Sequence, residues 1–263
     1  MCNDCGCGIT ATGPLGNGES APTETVRVMQ SLLHRNDAIA ARNRAQFNSG
    51  GTLVLNLMSS PGAGKTALLE ATIDALKDEL RIAVIEGDPE TTRDAERIRA
   101  RGVPAVQITT GGACHLDARM VQGALKDFSL DGIDILFIEN VGNLICPASF
   151  DLGQHFNITL LAVTEGDDKP AKYPVMFRAS DLVLVTKVDL LAVLGDFDPA
   201  QAEVFLRGVA SHATMLQVSA RKGLGLGAWF DWLRNRRATM AKVGHGFSYR
   251  AHGKSPQAFV AGN

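Results

Sequence analysis

The sequence predicts a doubly wound α/β domain built on a mainly parallel sheet of about seven strands. Three observations predict it. Short apolar runs alternate with helical patterns along the chain. Several runs are unbroken rather than alternating, so helices must cover both faces of the sheet. With 263 residues, 45% of them hydrophobic, the chain can bury one large core.

The elements follow in order. Residues 1–22 are rich in Cys, Gly, Thr and Pro without an apolar period, which predicts a flexible tail. Residues 23–48 read as an N-terminal helix, with Val26, Met29, Leu33, Ala40 and Phe47 on one face and Asn48-Ser49-Gly50-Gly51 ending it. The domain proper spans 49–243. Its predicted strands are Leu53–Met58, Ile82–Glu86, Ala105–Ile108, Ile133–Glu139, Ile158–Val163, Leu182–Thr186 and Met215–Val218. Predicted helices begin near Lys65, Thr91, His115, Pro199 and Gly227. Residues 244–263 turn polar and glycine-rich and predict a second flexible tail.

Charge and composition exclude several classes. The formal net charge is −2 and no Lys/Arg run reads as a nucleic-acid track. No apolar run is long enough to span a bilayer, and the N-terminus lacks a signal-peptide pattern, so the expectation is a soluble cytoplasmic protein with no membrane partner. Five cysteines, an odd count, argue against a disulfide framework and for metal or redox chemistry.

Ser59-Ser60-Pro61-Gly62-Ala63-Gly64-Lys65-Thr66 follows the first strand and opens a helix. That is the context of a phosphate loop, the P-loop of nucleotide-binding proteins. Its backbone amides, from Gly62 through Ala63, Gly64, Lys65, Thr66 and Ala67, curl around phosphates at a helix N-terminus. Lys65 is placed to reach the β- and γ-phosphates, and the Thr66 hydroxyl to hold Mg²⁺. Ser59 departs from the usual glycine at the first position.

Thr186-Lys187-Val188-Asp189 follows a buried strand and resembles the guanine-reading Asn-Lys-x-Asp motif, with Thr186 in the Asn place. Asp189 can accept from N1–H and the amino group of guanine, donors that adenine does not present. Lys187 would lie over the base, and Ser219-Ala220 would close the loop beside it. A solvated strand end is the alternative for this motif alone. Asp88 and Glu139 end strands, where open α/β sheets bind ligands, and are candidates for Mg²⁺ and for the attacking water. For either, capping the next helix is the alternative.

Cys2, Cys5 and Cys7 place three thiols in a terminal heptad with no core to bury them. Such donors suit Ni²⁺ in a planar site or Zn²⁺ in a tetrahedral one. Cys114-His115 and Cys146-Pro147 can form a second N/S site near the nucleotide if their loops share one sheet edge; a packed cysteine is the alternative for Cys114. His155 and His212 read as surface or partly buried residues, and His245 and His252 fall in the tail. Glu165, Lys169 and Lys172 form a charged loop that contacts nucleotide or a partner, or is simply solvated.

These stretches together carry a resemblance. The terminal Cys-Asn-Asp-Cys-Gly-Cys, the Ser59–Thr66 loop, Gly112–Asp117, Glu139–Pro147 and Glu165–Pro174 are similar to the HypB family, SIMIBI-type P-loop GTPases that help insert nickel into [NiFe]-hydrogenases. The resemblance runs from about residue 23 to residue 232, plus the extreme N-terminus. It implies slow hydrolysis of GTP to GDP, a tight nickel site at Cys2, Cys5 and Cys7, and a weaker nickel or zinc site at Cys114, His115 and Cys146. It also implies a homodimer, a HypA-type nickel/zinc accessory protein and the hydrogenase large subunit as partners. The histidine-rich stretch of some members is absent: only His34 precedes the phosphate loop. A urease-accessory-type GTPase, with its Cys-Pro-His motif, and a passive metal binder with an idle nucleotide site are the alternatives.

Overall fold

The structure, a computed structural model, describes residues 24–127, 129–209 and 211–243. The predicted tails, with Cys2, Cys5, Cys7, His245 and His252, lie outside the described residues.

Seven strands form one sheet: β1 (Leu53–Ser59), β2 (Ile82–Asp88), β3 (Ala105–Thr109), β4 (Ile135–Glu139), β5 (Phe156–Ala162), β6 (Leu182–Thr186) and β7 (Thr214–Gln217). Their order is β3-β2-β4-β1-β5-β6-β7, and every pairing is parallel. All residues of β1, β4 and β6 are buried, whereas the edge strands β3 and β7 are partly exposed. The unbroken apolar runs are thus the central strands, as covering both faces demands.

Eight α-helices accompany the sheet among the described residues: α1 (Glu24–Gly50), α2 (Lys65–Leu76), α3 (Arg93–Arg99), α4 (Ala118–Ala124), α5 (Lys169–Lys172), α6 (Pro174–Arg178), α7 (Pro199–Gly208) and α8 (Leu226–Val243). Successive strand residues point to opposite faces. Leu53, Leu55 and Leu57 therefore meet α2 and α8 through Leu69, Ile73, Trp229 and Leu233. Val54 meets α1 and α4 through Phe47 and Val121. Met58 packs with Phe177 of α6 and Leu206 of α7. The Trp229 indole N–H donates to Thr72 Oγ1 at 2.9 Å, so the buried indole keeps its hydrogen bond.

Helix α1 reaches Gly50, two residues past the predicted end, and Gly51 (φ 65°) then turns the chain into β1. Its buried positions are Asn36, Ala40, Asn43 and Phe47, a spacing that includes two amides the apolar pattern passed over. Asn36 donates to Asp151 O (2.8 Å) and accepts from Ala118 N (2.9 Å). Asn43 donates to Ala118 O (2.9 Å) and Leu152 O (3.1 Å). These amides bind α1 to the start of α4 and to the segment before β5. Close approach is possible because residue 153 is glycine: at φ 94°, its missing Cβ would lie 2.7 Å from Ala40 O.

Three expectations need correction. The helix expected near His115 starts at Ala118, because Asp117 caps it by accepting from Met120 N at 2.7 Å. The segment read as a charged loop holds α5 and α6, each short and with proline in its first turn. His155 is not a surface residue but 2% exposed. Its Nδ1 accepts from Val54 N (2.9 Å) and its Nε2 meets Asn48 Oδ1 (2.9 Å).

Burial, with the nearby Arg44 charge, pushes the His155 pKa down to about 4. The unfolded chain therefore binds the extra proton first. The stability that neutral His155 contributes is complete above pH 6.5 and is lost as pH falls toward 4. The loss reaches about 3 kcal/mol at most. Urea midpoints measured across that range should fall in the wild type and fall less steeply in His155→Gln; equal slopes would contradict the assignment.

Candidate functional site

The loop after β1 lies at the carboxyl edge of the sheet, where connections diverge toward β4 on one side and β5 on the other. Gly62 (φ 75°) and Gly64 (φ 99°) take left-handed conformations that side chains rarely adopt. Helix α2 begins at Lys65 with no side-chain cap, so its first amides are presented to a ligand. Lys65 Nζ donates to Ser59 Oγ at 3.1 Å, and Ser59 Oγ donates to Ser60 O at 2.7 Å. Ser59 is fully buried there, so the unusual first residue fits the loop and gives the lysine an acceptor. Ser60 Oγ donates to Glu165 Oε2, which ties the loop to the segment after β5.

Two clefts flank this loop and share Gly64 and Ala67 as walls. The first, about 440 Å³, is lined by Lys65, Thr66, Asp88 and Glu139, which sequence reasoning named, and by Glu86, Asp94 and Arg97, which it missed. Thr66 Oγ1 donates to Glu139 Oε1 at 3.0 Å. Asp88 Oδ1 accepts from Glu90 N (2.9 Å) and Thr91 N (2.6 Å), so this carboxylate holds a turn as well as facing the cleft. Burial raises the pKa of Glu139, opposed by the Lys65 charge and the Thr66 hydrogen bond. Burial also raises that of Glu86, followed by the charge of Glu139. The two residues are register partners on β2 and β4, a pairing visible only once the strand order is known.

The second cleft, about 360 Å³, brings together Ala63, Thr186, Lys187, Asp189, Ser219 and Ala220. Leu68, Leu190 and Arg221 complete its walls and were not foreseen. Thr186 Oγ1 donates to Ala63 O at 2.7 Å, joining this cleft to the phosphate loop. Lys187 has φ 59° and ψ 34°, the one positive φ of a non-glycine among the described residues. Such a backbone is held only where surroundings demand it. Ser219 pairs with Leu224 in a short bridge and its Oγ accepts from Lys222 N at 3.2 Å, which shapes the lid of this cleft.

A third constellation lies beside the first cleft. Cys114 Sγ is 3.1 Å from Cys146 Sγ and 3.6 Å from His115 Nδ1. Neither cysteine forms a disulfide, and one donor atom of each of the three residues lies within 4.8 Å of the others. The His115 ring stacks on Phe150 with centroids 3.9 Å apart. Burial lowers the His115 pKa, which favours the neutral, ligating imidazole. Asn143 Oδ1 accepts from Ile145 N (2.7 Å) and Cys146 N (3.4 Å), a turn that sets the second thiol in place. Two thiols and one imidazole supply three donors of the kind that zinc and nickel accept.

One segment joins the two places. From Glu139 the chain runs through Asn140, Val141 and Gly142 to Cys146. Asn140 is buried, and its Oδ1 accepts from Leu116 N and Val141 N, each at 3.0 Å. Its Nδ2 donates to Asn56 Oδ1 at 3.1 Å. Leu116, next to His115, packs against Gly87, where a Cβ would lie 2.8 Å from its side chain. Gly142 lies against Pro61 of the phosphate loop, with a would-be Cβ 2.9 Å from Pro61 Cα.

A doubly wound sheet and a phosphate loop at its carboxyl edge, with a group of metal-ligand side chains beside it, define a nucleotide-binding protein. A family model described as the CobW/HypB/UreG nucleotide-binding domain matches residues 53–217. The chain is 53% identical over 220 residues to the hydrogenase maturation factor HypB of Azotobacter vinelandii, covering 83% of this chain and 72% of that one. It is 49% identical over 229 residues to HypB of Escherichia coli (strain K12), covering 84% and 79%. The crystal structure of HypB from Helicobacter pylori in complex with nickel matches with a TM-score of 0.72 at 40% identity, over 84% of this chain and 100% of that one. The chain belongs to the CobW/HypB/UreG family, in its HypB branch.

Replacing Asn140 by Ala leaves the amides of Leu116 and Val141 buried without this acceptor. A stability loss of about 2–4 kcal/mol is expected in urea unfolding; a loss below experimental error would show that the amide does not hold the two loops.

Proposed function

We propose that this protein is a GTP-hydrolysing nickel metallochaperone that delivers nickel for [NiFe]-hydrogenase maturation under control of its nucleotide. The observation that carries this reading is the Glu139–Cys146 segment, whose first residue faces the phosphate loop and whose last is a thiol of the metal pocket. The relatives support the biological setting: they are hydrogenase maturation factors, one of them solved in complex with nickel.

In this reading the phosphates lie on the amides of Gly62 to Ala67, with Lys65 released from Ser59 to pair with them. The base enters the second cleft. Asp189 accepts from the guanine edge, Lys187 covers the base, and Ser219 and Ala220 close over it. Thr66, Asp88 and Glu139 are the residues that would hold Mg²⁺. They fit it, because Glu139 Oε2 is buried with no partner among hard oxygen donors. Bound there, magnesium would supply charge neutralisation at the phosphates. Lys65 adds positive charge on the same side, and Asp88 and Glu139 orient the water.

Nickel or zinc is the cargo. Cys2, Cys5 and Cys7 form the tight site and Cys114, His115 and Cys146 the weaker one. Separate Cys114-His115 and Cys146-Pro147 pairs favour this reading over the Cys-Pro-His arrangement of a urease-type GTPase. Nucleotide state governs transfer to a HypA-type accessory protein and then to the hydrogenase large subunit, with a homodimer as the working form. Cys146 follows the segment whose Gly142 touches Pro61 of the phosphate loop, and His115 precedes Leu116, which Asn140 of that segment holds, so nucleotide and metal affinities are linked.

Lys65→Ala should lower GTP turnover by at least about a hundredfold; no hydrolysis by the wild type, with or without metal, would leave a passive metal binder. Asp189→Asn should weaken GDP binding about ten- to a hundredfold, because one of the two guanine donors then meets an amide N–H in place of a carboxylate oxygen. An unchanged dissociation constant would remove Asp189 from the base site. Nickel titration of Cys2/Cys5/Cys7→Ala should lose the tightest site and keep a weaker one, which Cys146→Ser then removes. A variant that keeps the tightest site would show the N-terminal assignment to be wrong.

A further inference from the structure

The wall of the phosphate-side cleft holds more buried carboxylate than one nucleotide-bound ion requires. Glu86, Asp94 and Glu139 each place one oxygen within 4.8 Å of the others. Glu86 and Glu139 stand opposite each other on β2 and β4 and are 2% and 3% exposed. Thr66 occupies Oε1 of Glu139, while Oε2 of Glu139 and Oε2 of Glu86 have no hydrogen-bond partner. Two buried carboxyl groups side by side, each with an acceptor oxygen that no donor reaches, require either a proton or a cation between them.

Neither nearby cation donates a hydrogen bond to Glu86 or Glu139, although the Lys65 charge acts on both. Lys65 Nζ donates to Ser59 Oγ, on the phosphate loop. Arg97 pairs with Glu70 and with Oδ1 of Asp94, which leaves the second Asp94 oxygen for the cluster. Asp88, the acid singled out from the sequence, is not a member of the group; its Oδ1 serves the amides of Glu90 and Thr91.

We propose that Glu86, Asp94 and Glu139 form a second divalent-cation site, next to the one that Thr66 and Glu139 offer to the nucleotide's magnesium. The donors are all carboxylate oxygens, so the ion is of the Mg²⁺ or Mn²⁺ class and not the nickel or zinc that thiols prefer. Glu139 serves both positions. A cation there neutralises the carboxylate pair and adds positive charge beside the phosphates, as in other sites that use two metals for phosphoryl transfer.

The inference rests on the proposed nucleotide site only for the first ion. Mn²⁺ is the probe, because its preference for oxygen keeps it from the cysteine sites. It is titrated into the full chain loaded with GDP, and bound manganese is counted by electron paramagnetic resonance, with GDP occupancy measured in each sample. The wild type should bind two equivalents, with spin–spin broadening as the second enters. Glu86→Gln and Asp94→Asn should each bind one. A single equivalent in the wild type overturns the inference and means that a proton holds the pair together; the nucleotide reading then stands. Two equivalents retained in Glu86→Gln also overturn it. No manganese alongside bound GDP overturns the magnesium assignment as well, and failure of the wild type to take up GDP overturns the nucleotide reading itself. If Glu86→Gln does not fold, Asp94→Asn, at the open margin of the cluster, and the wild-type count decide the matter.

Discussion

The Asn140 carboxamide is the interaction on which both halves of the site depend. Its oxygen holds the amides of Leu116 and Val141, and its nitrogen is anchored on Asn56 in the central strand. Without it the loop that carries Cys114 and His115 and the loop that leads to Cys146 lose the buried amide that joins their backbones. A buried carboxamide with all these bonds made stiffens its surroundings, whereas one left half-satisfied is costly. Residues before and after it then fall into place: Glu139 beside Thr66, and Gly142 against Pro61. The Cys114–His115–Cys146 group and the phosphate loop thus meet the two ends of one short stretch of chain.

The rest of the fold braces that stretch. The sheet puts β4 and β5 on either side of β1, so loops from both directions converge on the phosphate loop. Thr186 grips Ala63 from one side and Ser60 grips Glu165 on the same side. Helix α1 clamps both backbone groups of Ala118 through Asn36 and Asn43, and the same asparagines hold Asp151 and Leu152. Phe150, next to that segment, stacks on His115. Helix α1 is therefore seated on the frame of the Cys114–His115–Cys146 group.

Much of this was legible in the sequence. All seven strands were placed, because burial on both faces leaves continuous apolar runs. The phosphate loop, Thr186–Asp189 and Ser219-Ala220 were read from chemistry that needs those residue types, and the structure gathers them around two adjoining clefts. Cys114, His115 and Cys146 also meet as expected. What escaped was non-local. Glu86 looked like an ordinary strand residue until the strand order set it beside Glu139. Asn36 and Asn43 broke the apolar pattern of α1 because their partners are peptide groups far along the chain. His155 was read as a surface or partly buried residue because nothing local announces that Val54 N and Asn48 would hold it fully buried. Asp117 hid the true start of α4 by capping it just after the metal-pocket residues.

If nucleotide and metal act on one rigid segment, each must alter the affinity of the other by the same factor. The most direct measurement uses the chain with Cys2, Cys5 and Cys7 replaced, so that only the Cys114–His115–Cys146 group remains. Its nickel dissociation constant is determined with GDP and with a non-hydrolysable GTP analogue, and both nucleotides are titrated with and without nickel. The account predicts that the two nickel constants differ, and that the ratio of the nucleotide constants shifts by the same factor when nickel is bound. Equal nickel affinities in the two nucleotide states would contradict it.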